Sequence, residues 1–179
     1  MSEIVVNQLT FCYEGAYENV FENVSFRIDT DWKLGFIGRN GKGKTTFLRL
    51  LQGGYEHQGS IRKSVDVGYF PYEIENKEKT TLEVINRIDP FFVFLKVARE
   101  WNDLDGKDDI WDRPFSTLSN GEQTKFLLAV LFSRENHFLL IDEPTNHLDA
   151  EARECVKRYL NRKKGFLLVS HDRAFLDGC

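Results

Sequence analysis

The sequence predicts a mixed α/β fold with a three-layer core, an antiparallel β subdomain and a small helical insert, and three observations predict it. A glycine-rich run, Gly38 to Thr46, separates an apolar segment from one with helical spacing. Late in the chain, Phe138-Leu139-Leu140-Ile141 is apolar without interruption and ends in Asp142-Glu143, the pattern of a strand buried on both faces of a parallel sheet. Between them, from Thr80 to Trp101, the apolar residues shift to a helical period.

Taken in order, the first elements are strands. Ile4-Val5-Val6, Leu9-Thr10-Phe11-Cys12 and Val24-Ser25-Phe26-Arg27-Ile28 read as antiparallel strands with Gly15 and polar residues between them. Lys33-Leu34-Gly35-Phe36-Ile37 reads as a buried strand, and Thr45 to Leu51 as a helix stopped by Gly53-Gly54. Gly59 to Arg62 and Val65 to Phe70 are two further strands, the second ended by Pro71. Leu82, Val84, Ile85 and Ile88 suit one short helix. Phe91, Phe94, Leu95, Ala98 and Trp101 suit another, whose aromatic stripe reads as core of the insert with any exposed part free for docking. The insert is placed at about 74–117 of a single domain, 1–179. After the acidic loop Asp103 to Pro114, Ser119 and Glu122 have the spacing of a capping box and open a helix through Phe126 to Phe132. Asp149 is the N-cap expected for a helix from Ala150, and Gly165 to Ser170 is a last strand that delivers His171 to the sheet edge.

With 179 residues, 41% of them hydrophobic, the chain can bury one substantial core. A formal net charge of -4 argues against a self-contained nucleic-acid binder, which needs a concentrated basic face, and no direct binding of DNA is expected. The small cluster Arg158, Arg162, Lys163 and Lys164 reads as a solvated helix end. Cys12, Cys155 and Cys179 include no C-x-x-C pair, so neither a zinc site nor a disulfide framework is indicated and a reducing cytoplasm fits. No apolar run approaches the length of a membrane span.

The stretch Gly38-Arg39-Asn40-Gly41-Lys42-Gly43-Lys44-Thr45 fits G-x-x-x-x-G-K-[ST] in a strand–loop–helix context. Three glycines in six residues let successive N–H groups turn toward one anion, and the helix dipole adds positive potential. The predicted core is therefore that of a P-loop nucleoside triphosphatase. Lys44 is expected at the β- and γ-phosphates, the Thr45 hydroxyl on Mg²⁺, and Thr46 nearer the α-phosphate. Asp142 is placed to complete the Mg²⁺ shell, Glu143 to polarise an attacking water, and His171 to sense the γ-phosphate. Tyr13 and Tyr17, in the loop after the second strand run, can each stack on an adenine ring or pack on the sheet edge; Tyr13 is preferred.

Five ordered elements then resemble those of the ATP-binding cassette (ABC) superfamily: the Walker A loop Gly38 to Thr45, the signature Leu118-Ser119-Asn120-Gly121-Glu122, the Walker B strand ending at Asp142 with Glu143, the D-loop around Asp149, and the switch histidine His171. Leu-Ser-Asn-Gly-Glu-Gln, Glu-Pro-Thr-Asn-His-Leu-Asp and Ser-His-Asp-Arg-Ala-Phe-Leu resemble more narrowly the ABC-F group, twin-cassette ATPases that act on the ribosome, some conferring antibiotic resistance. The resemblance implies ATP and Mg²⁺ as ligands and a second cassette as partner, each site joining one Walker A loop to the other cassette's signature. Three departures stand out. Asn120 and Glu122 replace a glycine and a glutamine of the usual signature, Tyr72 stands where the Q-loop glutamine is expected, and the chain stops at Cys179, which suggests a truncated cassette. A phenol lacks the paired donor and acceptor of an amide. The energising subunit of a membrane transporter is the alternative function, and a DNA-repair or chromosome-maintenance ATPase a weaker one, since no coiled-coil insertion interrupts the chain.

Overall fold

The computed structural model describes residues 2–38, 41, 43–146 and 148–179, and its contacts divide the chain into two compact units. The first comprises Met1–Tyr69, Asn136–Glu143 and Lys164–Leu176; the second comprises Phe70–Glu135, Pro144–Lys163 and Asp177–Cys179.

In the first unit, β1 (Glu3–Phe11) is the centre of a three-stranded antiparallel sheet, between β2 (Phe21–Asp29) and β4 (Gln58–Lys63). The two runs expected at Ile4 and Leu9 are one strand. Gln8 adopts φ 49°, and the register shifts between Val6 and Leu9. This bulge moves the buried face from Ile4 and Val6 to Leu9 and Phe11.

The second sheet runs in the order β3 (Lys33–Phe36), β7 (Phe166–Val169), β6 (His137–Asp142), β5 (Asp66–Phe70), and β7 pairs in parallel with both of its neighbours. The apolar strands β6 and β7 lie inside this sheet, as their unbroken hydrophobicity requires. The expectation of a buried strand at Lys33 to Ile37 is corrected: β3 is the edge, Lys33 and Gly35 are exposed, and Ile37 is 46% exposed. Helix α1 (Lys44–Gln52) ends at Gly53, whose φ of 93° suits glycine, and buries Phe47, Leu48, Leu50 and Leu51 among residues of both sheets.

The second unit is mainly helical: α2 (Thr81–Ile88), α3 (Phe94–Asp103), α4 (Asn120–Phe132) and α5 (Ala150–Asn161), with 3₁₀ turns at Asp108–Ile110 and Phe115–Thr117. It takes in the expected insert together with α4 and α5. The short α6 (Arg173–Leu176) belongs to the first unit. Helix α3 starts only at Phe94; Trp101 of the expected stripe is buried, with Val97 beside it, whereas Phe91, Phe94 and Leu95 are exposed, which corrects that part of the stripe. Trp101, Trp111 and Phe115 surround Phe126 of α4. Between α3 and α5, Tyr159 Oη and Lys163 Nζ both donate to Glu100 Oε2, at 2.6 and 2.5 Å. Burial and the Glu100 charge push the Tyr159 phenol far up, so it stays a donor.

Tyr72, the residue at the Q-loop position, also lies in this unit. Its hydroxyl is buried without a hydrogen-bond partner among the described residues, and its ring lies 5.8 Å from the Arg134 guanidinium. Burial pushes its phenol up to about 12. Replacing a hydroxyl left unpaired by phenylalanine removes a desolvation cost of about 1 kcal/mol or more. A thermal melt of Tyr72→Phe should therefore show an equal or higher midpoint, and a clear fall would mean the hydroxyl has a partner.

Candidate active site

The amino terminus of α1 and the carboxyl end of β6 converge in the first unit. Gly41 and Gly43 take φ values of 76° and 84°, the left-handed region that favours glycine. A Cβ on Gly43 would also meet Val20 Cγ1 at 2.7 Å and Phe21 Cζ at 3.2 Å, so this position excludes a side chain twice over. Gly43 is the N-cap of α1 and brings no side-chain acceptor, which leaves the first amides of the helix without a capping group. A cleft of about 400 Å³ opens here, lined by Tyr13, Gly41, Gly43, Lys44, Thr45, Thr46, Asp142 and Glu143. Gly38 contributes its carbonyl, which accepts from Lys44 Nζ at 2.6 Å, and Lys44 itself is only 7% exposed. Arg39, Asn40 and Lys42, expected in the same loop, and His147 of the Asn-His-Leu-Asp run lie outside the described residues.

Asp142 ends β6 and is buried. Its Oδ2 accepts from the Thr45 hydroxyl at 2.6 Å and from the Tyr69 hydroxyl at 3.2 Å, while its Oδ1 is buried with no partner among the described residues. A carboxylate oxygen held in this way, next to a threonine hydroxyl, is a hard oxygen donor pair. It fits Mg²⁺, which takes one or two protein oxygens and completes its shell from phosphate and water. Tyr69 is the residue that sequence reasoning missed. It was legible only as a strand position, although strands β5 and β6 are sheet neighbours. Burial first, then the Asp142 charge, pushes its phenol up to about 12, so it donates to Asp142 throughout the ordinary pH range. The Arg49 guanidinium covers its ring at 4.2 Å.

Glu143 follows with φ 49°, an uncommon value for a side chain larger than glycine's and one that clusters at functional positions. Its N–H donates to Val169 O at 2.9 Å, and its Oε2 lies 2.8 Å from His171 Nδ1. The glutamate is mostly enclosed, whereas the His171 side chain is 58% exposed. Tyr13 reaches the same cleft from the β1–β2 loop, its hydroxyl 2.6 Å from Thr46 Oγ1.

The second unit carries the remaining predicted residues. Ser119 and Glu122 form the expected capping box: Ser119 Oγ accepts from Glu122 N at 3.2 Å and Glu122 Oε2 from Ser119 N at 2.8 Å. Asn120 is the first residue of α4, and a Cβ on Gly121 would lie 3.1 Å from Ala152 Cβ. Asp149 caps α5 by accepting from Ala152 N at 2.8 Å. Ser119, Gly121, Glu122 and Asp149 line one pocket of about 330 Å³ together with Lys125 and Arg158, two cations that sequence reasoning did not assign to it. The backbone hydrogen bond from Ser119 holds the Glu122 carboxyl below its ordinary value of 4.5. A depressed carboxyl contributes stability that is present above its unfolded pKa and is lost as pH falls through the folded one. Denaturant midpoints of wild type and Glu122→Gln should accordingly differ at neutral pH and converge as pH falls below the ordinary carboxyl value of 4.5 and through the lower folded one. A constant gap would contradict the capping role of the charge.

A family profile described as ABC transporter matches residues 21–146. The chain is 35% identical over 163 residues to the ribosome protection protein VmlR of Bacillus subtilis (strain 168), covering 88% of this chain and 30% of the relative. It is 30% identical over 204 residues to the energy-dependent translational throttle protein EttA of Escherichia coli (strain K12), covering 89% and 37%. It is 30% identical over 177 residues to ATP-binding cassette sub-family F member 2 of Mus musculus, covering 94% and 28%. The chain thus spans less than half the length of each of these relatives. Among solved structures, an inward-facing putative metal-chelate type ABC transporter superposes with a TM-score of 0.80 at 22% identity, over 99% of this chain and 76% of that one. A bacterial Atm1-family ABC exporter with ATP bound also gives 0.80, at 16% identity, over 98% of this chain and 35% of that one. These two likenesses speak for the fold. The ordered motifs, the geometry of the cleft and the match over residues 21–146 agree that the chain belongs to the ABC transporter family.

Proposed function

We propose that this chain is one ATP-binding cassette of an ABC-F type protein, acting in the cytoplasm on the ribosome as a translation factor or ribosome-protection protein. It binds MgATP and hydrolyses it on pairing with a second cassette. The observation that carries the nucleotide reading is the Asp142 carboxylate, one oxygen tied to Thr45 and Tyr69 and the other buried without a partner among the described residues, beside Lys44 and the amino terminus of α1. The similarity to VmlR and EttA supports the ribosomal setting.

In this reading the amides of Gly41 to Thr45 and the Lys44 ammonium bind the β- and γ-phosphates, with Arg39, Asn40 and Lys42 assigned to the same loop on the motif alone. Thr46 faces the α-phosphate and the Tyr13 ring the adenine. Thr45 and Asp142 would hold Mg²⁺, which would supply positive charge to offset the charge of the phosphates. Glu143 accepts a proton from the water whose oxygen attacks the γ-phosphorus; the bond from that phosphorus to the bridging oxygen breaks, and ADP and phosphate leave. His171 orients the Glu143 carboxylate through Nδ1 and keeps Nε2 for a γ-phosphate oxygen. Ser119, Asn120, Gly121 and Glu122, with Asp149, serve the site whose Walker A loop lies on the second cassette.

The test is co-sedimentation of the full-length gene product, carrying Glu143→Gln and loaded with ATP, with ribosomes. The product should pellet with them. Failure to pellet, with co-purification of an integral membrane protein, would favour the transporter subunit instead.

A further inference from the structure

Beside the phosphate-facing loop lies an aromatic cluster that the catalytic residues leave unexplained. The Tyr13 ring packs edge-on against Phe11, centroids 5.0 Å apart and planes at 79°. A second tyrosine, Tyr55, in the segment between α1 and β4, meets Tyr13 at 5.7 Å and 82° and lies tilted on Phe11 at 5.2 Å and 32°. The Tyr13 hydroxyl is anchored at 2.6 Å on Thr46 Oγ1, in the first turn of α1. Tyr13 is therefore held at its tip by the phosphate loop's own helix and along its ring by two other rings, yet it stays 42% exposed and lines the cleft. Tyr55 is 38% exposed, so it is not a core residue that Tyr13 happens to cover.

A loop tyrosine turns about two side-chain torsions, and a ring free to turn loses contact entropy when a planar ligand fixes it. Immobilising it beforehand improves affinity without adding a contact to the ligand. We propose that Tyr55 is a positioning residue that holds the Tyr13 ring as a fixed platform for a nucleotide base, so that the cleft prefers base-bearing triphosphates to bare polyphosphate. The proposal rests on the assignment of Tyr13 and the α1 loop to the nucleotide site. Edge-to-face ring pairs contribute enough to predict an effect of about three- to tenfold in affinity when one ring is removed.

Calorimetric titration of the chain with ATP and with inorganic tripolyphosphate, each with Mg²⁺, tests this. Tyr55→Ala and Tyr55→Leu should each weaken ATP binding about three- to tenfold while tripolyphosphate binding stays within about twofold. Tyr55→Phe, which keeps the ring, should retain most of the ATP affinity. In a Tyr13→Ala background, Tyr55→Ala should have no further effect, since nothing is left to position. Equal loss for both ligands, or no loss for either, overturns the proposal and makes Tyr55 a packing residue only. Wild type that binds tripolyphosphate as tightly as ATP overturns it by removing Tyr13 from recognition, and wild type that binds neither ligand overturns the phosphate site itself.

Discussion

Replacing Glu143 by glutamine should lower ATP turnover of the cassette, paired with a partner cassette whose own Walker A lysine has been replaced, by a factor of about 100 to 10,000 while leaving ATP binding in place. The amide is isosteric with the carboxylate, its carbonyl can still face His171 Nδ1, and the backbone at φ 49° is unaltered, so fold and cleft persist. What disappears is the ability to take the proton of the attacking water. A filter-binding assay should show retained nucleotide and a phosphate-release assay almost no product. Turnover within about twofold of wild type would remove Glu143 from the reaction and leave it a turn residue.

Gly43→Ala should damage both stability and binding. The new Cβ would have to tolerate φ 84° and a 2.7 Å approach to Val20 Cγ1, a β-branched side chain with little room to turn away. Left-handed strain and overpacking each cost on the order of 1–2 kcal/mol, so a total loss of about 3 kcal/mol is expected in denaturant unfolding. The amides at the start of α1 would shift with the backbone, and ATP affinity should fall at least about tenfold. Gly41→Ala is the internal comparison, because Gly41 shares the positive φ of 76° but has no neighbour within 4 Å of an added Cβ. It should show only the strain, about 1 kcal/mol. Equal losses at the two positions would mean that the contact with Val20 has no weight.

Much of this arrangement was legible in the sequence wherever physics acts over a few residues. The capping box at Ser119 and Glu122, the Asp149 cap and the glycine stop at Gly53 follow from local hydrogen bonding and backbone freedom, and each is present. Lys44, Asp142 and Glu143 line one cleft and His171 lies against Glu143, as expected where parallel strands deliver their carboxyl ends to the same edge. The misses are positions decided by distant neighbours. Lys33 to Ile37 has an apolar pattern compatible with either an inner or an edge strand, and only the sheet order makes it the edge. Leu9 looked like a new strand because the bulge at Gln8 offsets the alternation by one residue without ending the pairing. Phe91 and Leu95 carry the right spacing for a buried stripe with Trp101, but α3 begins after Phe91 and turns Val97 inward beside Trp101, leaving Phe91 and Leu95 exposed. Tyr69 acts across a strand pair on a residue 73 positions away, which no local window can reveal.

The central claim is that the Lys44 loop forms half of an ATP site, completed by a signature helix from a second cassette. The most direct measurement is single-turnover hydrolysis of ATP bound to this chain, alone and after addition of an intact partner cassette whose own Walker A lysine has been replaced. Hydrolysis should be scarcely detectable alone and should rise at least about tenfold with the partner, because only the chain's own loop can then hold the reacting ATP. Full-rate hydrolysis by the chain alone, unchanged by the partner, would contradict it.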